Sequence, residues 1–244
     1  MLTGRAIVVS GGTSGLGLAA AQRLAAEGAR VWILGSRAET VTAALGQLEG
    51  VAGGSACDVA DEAAVHSALD EALTALGGSL DGAFVAAGID GEDVPAMELD
   101  SSRFKRVLEV NVLGAFHVAR AAARSMGKGA AIVVCASVNG VRPERGFADY
   151  NASKAGAVSL AQTMALDLAD RRIAVTALCP GYVRTRMTAP YLDDPGIAAE
   201  LLAEIPAGRF GEPDEVAGLV AYLLGGEATY LTGSVITMDG GRSV

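Results

Sequence analysis

Lysine is almost missing from this 244-residue chain: of 19 basic residues only Lys105, Lys128 and Lys154 are lysines. Histidine is scarcer, at two, His66 and His117. With 28 acidic residues the net charge is −9, which argues against unaided binding to nucleic acid or an anionic membrane. The three cysteines, Cys57, Cys135 and Cys179, are odd in number, far apart and set in apolar runs. They read as buried reduced thiols of a cytoplasmic protein, not as a disulfide framework. No His, Cys and acid cluster has metal-ligand spacing, so no metal is expected. No apolar run approaches membrane-spanning length, and the one in "MLTGRAIVVSGG" is too short for a signal peptide. Repeats, low-complexity tracts and linkers are absent too, so residues 1–244 are expected to form a single domain. What is plentiful is apolar: 51% hydrophobic against 19% charged, enough for a sizeable core.

Short apolar runs recur along the chain: "AIVVS" (6–10), "VWILG" (31–35), "GAFVAAG" (82–88), "AIVVCAS" (131–137), "IAVTALC" (173–179) and "SVITM" (234–238), with "GGSACDV" (53–59) as a weaker seventh. They are continuous and mostly rich in Val and Ile, the pattern of strands buried on both faces. Helical stretches such as 15–28 and 61–78 separate them. Strands alternating with helices predict an α/β fold, a doubly wound parallel sheet of seven strands with helices on both faces. Two helices, 103–126 and 149–172, carry Ala, Val or Leu on nearly every side. A helix apolar all round needs a second partner, so these two are expected to build a subunit interface, most simply a two-fold one.

After the first strand comes "SGGTSGLG" (10–17). Gly11, Gly15 and Gly17 sit where a strand must turn sharply into a helix and let a pyrophosphate approach the backbone, with Ser14 and Leu16 completing the turn. The segment has no Lys, which excludes the phosphate loop of nucleotide triphosphatases. Binders that prefer NAD place an acid after the second strand for the ribose 2′-hydroxyl. Here Ser36 and Arg37 follow Gly35, and a guanidinium suits a 2′-phosphate, so NADP(H) is favoured and NAD(H) remains possible. Asp58 and Val59 close the third strand. Asp58 has two readings, an acceptor for an adenine amino group or the cap of the helix starting near Asp61.

One of the few lysines falls in "YNASK" (150–154). On a helix, residues four apart share a face, so Lys154 lies beside Tyr150. A free phenol, with a pKa of about 10, is a poor base at neutral pH, and lowering it by about three units takes about 4 kcal/mol. A cation about 4 Å away supplies roughly 1 to 4 kcal/mol, depending on the dielectric. Lys154 and an oxidised nicotinamide together suffice for a phenol that gives a proton to a carbonyl oxygen or takes one from an alcohol.

"SGGTSGLG", "EVNVLG" (109–114), "VVCASVNG" (133–140), "YNASK", "CPGYVRT" (179–185) and "MDGG" (238–241) come in the order and spacing of the short-chain dehydrogenase/reductase family, and the chain resembles its 3-oxoacyl-ACP reductase-like members. The resemblance implies a Rossmann fold and a catalytic set of Asn111, Ser137, Tyr150 and Lys154. Tyr150 would be the general acid or base. Lys154 would lower its pKa and hold the cofactor ribose. Ser137 would hydrogen-bond the substrate oxygen. Asn111 would hold a water linking Lys154 to solvent. Pro180, Gly181, Val183 and Thr185 match the segment that holds the nicotinamide carboxamide, and Gly88 matches the loop after the fourth strand. Four positions depart from the pattern. Ser10 stands where the family usually has Thr and keeps the hydroxyl. Val85 and Ala86 stand where the family often has two Asn, and Ser14 stands where NADP-preferring relatives often carry a base.

These readings predict an NADP(H)-linked oxidoreductase interconverting a secondary alcohol and a ketone, cytoplasmic and homo-oligomeric, a dimer or tetramer. The first substrate class is a 3-oxoacyl thioester, carrier-bound or free, with Lys128, Arg171 and Arg172 as a docking patch for an acidic carrier. The second is a small alcohol, sugar or steroid-like ketone. In "VRPERGFAD" (141–149), Arg142 and Arg145 are candidates for reading a polar group or for lying in solvent. Residues 186–210 are expected to form a mobile substrate lid. A rival of another class is a nucleotide sensor without turnover, which could dispense with the four catalytic positions. The two histidines read as structural.

Overall fold

The apolar runs pair edge to edge because none has a polar face to offer water. In the computed structural model, which describes residues 2–244, β1 (Ala6–Ser10), β2 (Arg30–Gly35), β3 (Gly53–Ala56), β4 (Leu80–Val85), β5 (Met126–Cys135), β6 (Ala174–Pro180) and β7 (Val235–Met238) form one sheet. The order is β3-β2-β1-β4-β5-β6-β7 and every pairing is parallel. The chain builds outward from β1 to β3, then crosses back to lay β4 on the other side of β1. Where the direction reverses, a crevice opens at the carboxyl ends of the strands.

The helices are α1 (Gly15–Ala26), α2 (Ala38–Leu45), α3 (Glu62–Leu76), α4 (Ser101–Leu108), α5 (Ala115–Arg124), α6 (Ala148–Asp167), α7 (Ala189–Leu192), α8 (Pro195–Ala203) and α9 (Pro213–Leu224). Side chains alternate across each strand. Ile7, Val9, Ile33, Phe84 and Val133 meet α1, α2 and α9 on one face. Ala6, Val8, Val85, Ile132 and Val134 meet α3, α5 and α6 on the other. Each fully buried Ile, Val or Phe contributes about 1.5–3 kcal/mol of transfer free energy.

Local chemistry sets the ends of the elements. Asp61 caps α3 by accepting from the Ala63 and Ala64 amides, and Gly77, at φ 90°, ends it. The run 82–88 leaves the sheet after Val85, because the next amides turn to Ser10. The stretch 53–59 pairs only as far as Ala56, and β5 starts earlier than its apolar run, at Met126. The expected single helix over 103–126 is α4, a π-helical turn (Glu109–Gly114) and α5. The wider turn has a physical consequence: it holds Asn111 inward, where its amide is buried. The other long helix ends at Asp167 and is followed by a 3₁₀ turn, Ala169–Arg171.

Residues 186–210 leave the body of the protein between two stapled points. Val183 and Gly211 form an isolated parallel bridge, with the Gly211 amide donating to the Tyr182 carbonyl and the Arg184 amide to the Gly211 carbonyl. Between them, α7 and α8 bury Leu192, Ile205 and Phe210 in a small cluster of their own. Among the described residues no helix is long and apolar enough to cross a membrane.

Candidate active site

The glycine-rich turn is shaped by close approaches that only glycine allows. Gly11 has φ 70°, and a Cβ there would lie 2.8 Å from the Ala87 nitrogen. A Cβ on Gly17 would strike the Gly11 carbonyl. Gly15 opens α1 at φ 51°. At the start of α1, Ser14 makes no side-chain cap and no acid occupies the first turn, so the helix presents its free amides and positive dipole end to the crevice. The Ser10 hydroxyl accepts from the Ala86 and Ala87 amides at 3.1 and 3.3 Å. It thereby braces the loop where the family pattern would use Asn side chains.

Above this turn lies a cavity of about 380 Å³. The structure brings to its wall Gly11, Ser14, Gly15, Leu16, Gly17, Ser36, Asp58, Val59, Gly88, Ser137, Tyr150, Lys154, Pro180, Gly181, Val183 and Thr185. These come from the carboxyl ends of β1 to β6 and from the start of α6, which no single stretch of sequence joins. Two expected residues stand elsewhere. Arg37 is exposed at the N-cap position of α2 and does not line the cavity. Asn111 lies behind the wall: its Oδ1 accepts from the Ile89 amide at 2.8 Å, and its Nδ2 donates to the Ile89 carbonyl at 2.9 Å and Ser153 Oγ at 3.0 Å. Its side chain ties the 88–90 loop to α6.

Asp58 does not cap α3; Asp61 does. Asp58 accepts from the Ala60 amide and from Arg106 Nη2 at 3.1 Å. These contacts, the amide first, hold its carboxyl below the usual range. Arg106 and Thr13 also line the cavity and were not anticipated, and Arg186, Met187 and Thr188 line it from the segment expected as a lid. Arg106 lies one turn before the "EVNVLG" motif, and its spacing to Glu109 on one helical face was the available signal.

At the chemical end, α6 places Lys154 one turn beyond Tyr150. Lys154 Nζ lies 5.5 Å from the Tyr150 ring centroid and donates to the Cys135 carbonyl at 3.0 Å. Ser137 accepts from the Asn139 amide, which leaves its own proton to donate. Burial dominates both titrating groups. It pushes the Tyr150 phenol well above its ordinary range, aided by the negative charge of Asp90 and opposed by the Ser137 hydroxyl. It pulls the Lys154 ammonium down. In the protein by itself desolvation is the first influence on the phenol, and the lowering expected from Lys154 belongs to the state with a second positive charge.

Arg142 pairs with Glu204 at 3.4 Å, and Arg145 is exposed. Lys128, Arg171 and Arg172 stand at the amino-terminal edge of β5 and β6, whereas the cavity is at the carboxyl edge. Lys128 lies in the irregular stretch of β5 between Met126 and Ala131, where the pairing with β4 shifts register, and the regular strand then runs on from Ala131 to Cys135. Arg171 is occupied by the carbonyls of Ala123 and Met126. These three therefore form no patch at the cavity mouth. His117 Nδ1 meets the Val59 carbonyl at 3.0 Å, a structural role. Among the described residues no group of three or more His, Cys, Asp or Glu is placed to hold a metal.

The geometry has close counterparts. Residues 10–243 match the family model described as enoyl-(acyl carrier protein) reductase. The chain is 37% identical over 245 residues to the 3-oxoacyl-[acyl-carrier-protein] reductase MabA of Mycobacterium tuberculosis, covering 98% of this chain and 93% of the relative. It is 36% identical over 244 residues to the 2,5-dichloro-2,5-cyclohexadiene-1,4-diol dehydrogenase of Sphingobium indicum, covering 98% and 97%. A crystal structure of a short-chain dehydrogenase from Burkholderia cenocepacia in complex with NADP superposes with a TM-score of 0.92 at 35% identity, over 100% of this chain and 99% of that one. The chain belongs to the short-chain dehydrogenase/reductase family and is an NAD(P)-dependent oxidoreductase.

Proposed function

We propose that the protein is an NADP(H)-linked enzyme that interconverts a secondary alcohol and a ketone, with Tyr150 as the proton donor and acceptor. The observation that carries this reading is the convergence, on one cavity, of the open N-terminus of α1 and the Ser137, Tyr150 and Lys154 side chains. The residues fit a dinucleotide. The helix end and the clearance over Gly11 and Gly17 suit the pyrophosphate, Ser36 lines the cavity on the side where a 2′-phosphate would lie with Arg37 next to it in solvent at the start of α2, and Pro180 to Thr185 suit the nicotinamide. When bound, the nicotinamide supplies or accepts hydride.

The chain's own residues do the rest. Ser137 donates to the substrate oxygen and holds it against the Tyr150 hydroxyl. Tyr150, kept protonated by burial, is ready to donate toward a carbonyl. Working as a base, it needs a second positive charge beside Lys154, so its proton affinity falls only in the oxidised-cofactor complex. Lys154 keeps its position through the Cys135 carbonyl. Asn111 fixes the loop over the cavity, and a free lone pair on its Oδ1 leaves room for the water expected near Lys154.

Two substrate classes fit the family. A 3-oxoacyl thioester is favoured by the relatives named 3-oxoacyl-ACP reductases. A small free hydroxylated substrate is favoured by the diol dehydrogenases among the relatives, and by the absence of Lys128, Arg171 and Arg172 from the mouth. We place the substrate under residues 186–210 as a lid, the subunit contact on α5 and α6 in a dimer or tetramer, and the protein in the cytoplasm. The exposure of Leu113 and Leu166, at 43% and 79%, supports the subunit contact. Sedimentation of the intact chain tests it. The free thiols of Cys57, Cys135 and Cys179 support the reducing compartment. The test of function is a turnover screen of carbonyls and alcohols with both cofactors. Turnover with NADP(H) supports the proposal, and nucleotide binding without turnover of any substrate favours a sensor.

A further inference from the structure

Just beyond Ile89, the last residue of β4's loop to line the cavity, stands Asp90. The loop is pressed onto the start of α6: a Cβ on Gly91 would lie 2.8 Å from Tyr150 Cβ and 2.6 Å from Asp149 Oδ1. Asp90 is half-buried there, and its charge is the foremost electrostatic influence raising the phenol's proton affinity. For an enzyme that must ionise that phenol, a carboxylate at this point is a cost. No cation forms an ion pair with it. Arg103, whose charge partly offsets it, gives Nη2 to the Asp90 main-chain carbonyl at 2.6 Å, and its Nε stands 3.9 Å from Asp149. The Asp90 carboxylate instead accepts two hydrogen bonds, one from the Gly91 amide at 2.9 Å and one from the Tyr191 hydroxyl at 3.0 Å.

Those two partners differ in kind. Gly91 belongs to the same loop, so its bond persists in every state. Tyr191 belongs to α7, in the stapled excursion of residues 186–210, and its hydroxyl is a stand-in donor that a substrate can replace. A carboxylate accepts at about four lone-pair sites, so Oδ2 also has capacity for a second donor. Of the neighbouring acids, Asp149 is fully buried and faces Arg103, and Glu144 takes its proton donors from Tyr182, Asn139 and Arg242, so Asp90 is the one with acceptor capacity to spare. That capacity favours a ligand that brings a hydroxyl. It opposes one that presents the lone pairs of a carbonyl oxygen there, as the thioester group of a 3-oxoacyl chain does.

We propose that Asp90 is a specificity-determining residue that selects substrates bearing a hydroxyl next to the reacting carbon, that is, hydroxyketones and the corresponding diols, with that hydroxyl donating to Asp90 Oδ2 in place of Tyr191. The proposal rests on Tyr150 being the proton-transfer group and adds no bond-making step, because the second hydroxyl is recognised and left unchanged.

The test compares kcat/KM for 2-hydroxycyclohexanone, cyclohexanone and the N-acetylcysteamine thioester of acetoacetate, each with NADPH, in the full-length protein. The wild type should prefer the hydroxyketone over cyclohexanone by about ten- to a hundredfold, the range of a hydrogen bond to a charged group, and should prefer it over the thioester. The preference should reside in KM. Asp90→Ala should bring the ratio of the two cyclic ketones close to one, and Asp90→Asn, which keeps the shape and loses the charge, should fall between. Tyr191→Phe, which removes the competing donor, should hold or raise the ratio. A wild-type ratio near one, a ratio unchanged in Asp90→Ala, or a preferred thioester overturns the assignment while leaving Tyr150's role intact. A fall in ratio in Tyr191→Phe moves the recognition to Tyr191 and also overturns it. No turnover of any of the three overturns this assignment, while the functional proposal stands or falls on the wider screen of carbonyls and alcohols.

Discussion

The two halves of the crevice are made of different materials. The half over β1 to β3 is built from backbone: a turn closed by Gly11 against Ala87 and by Gly17 against Gly11, and a helix end left open. The half over β4 to β6 is built from side chains: Ser137, Tyr150 and Lys154, held by Asn111, Ser153 and the Cys135 carbonyl. Backbone amides bind a phosphate without titrating. Side chains in a buried wall titrate, and their proton affinities follow what enters the cavity. The comparison teaches that binding and chemistry are separable here, and substitutions should separate them.

Tyr150→Phe should give the largest effect. Removing the proposed acid/base group should lower kcat by about 10²–10⁴-fold, with NADPH affinity by fluorescence titration nearly unchanged. A comparable loss in binding would break the division. Gly17→Ala, the mirror experiment, forces a methyl onto the Gly11 carbonyl. Overpacking of about 1–3 kcal/mol predicts up to about a hundredfold weaker NADPH binding, and kcat at saturating cofactor should hold. Arg37→Ala should weaken NADP(H) by about tenfold, the scale of one charge-assisted hydrogen bond, and leave NAD(H) unaffected. Equal losses for both cofactors would remove the 2′-phosphate role. Ser10→Ala should be smallest. It leaves the Ala87 amide without its hydroxyl partner, at about 1 kcal/mol, which calorimetry should read as a fall of about 2–4 °C in Tm.

The backbone half was the more legible of the two. Continuous Val and Ile runs show parallel strands, and a glycine cluster between strand and helix shows a tight turn that leaves a helix end open, because both patterns are local. Tyr150 and Lys154 were legible for the same reason, being four apart on one helix. What the sequence withheld is long-range. Arg106 joins the wall only because α4 crosses the end of β3 to meet Asp58. Asn111 faces inward through a π-helical turn that no apolar period announces. The poor fit of Lys128, Arg171 and Arg172 as a docking patch became visible only with strand direction, since nearness in sequence to β5 and β6 says nothing about which edge of the sheet faces the cavity. The rise in the phenol's proton affinity was hidden too, since burial and the charge of Asp90 come from elements distant in sequence.

The central claim is that burial keeps Tyr150 protonated until a second positive charge joins Lys154. Ultraviolet difference titration of the phenolate, wild type against Tyr150→Phe, with and without NADP⁺, tests it directly. Tyr150 should ionise only above the ordinary range for a phenol of about 10 in the protein alone, and well below that pH in the NADP⁺ complex. Ionisation at the same pH in both states would contradict the account.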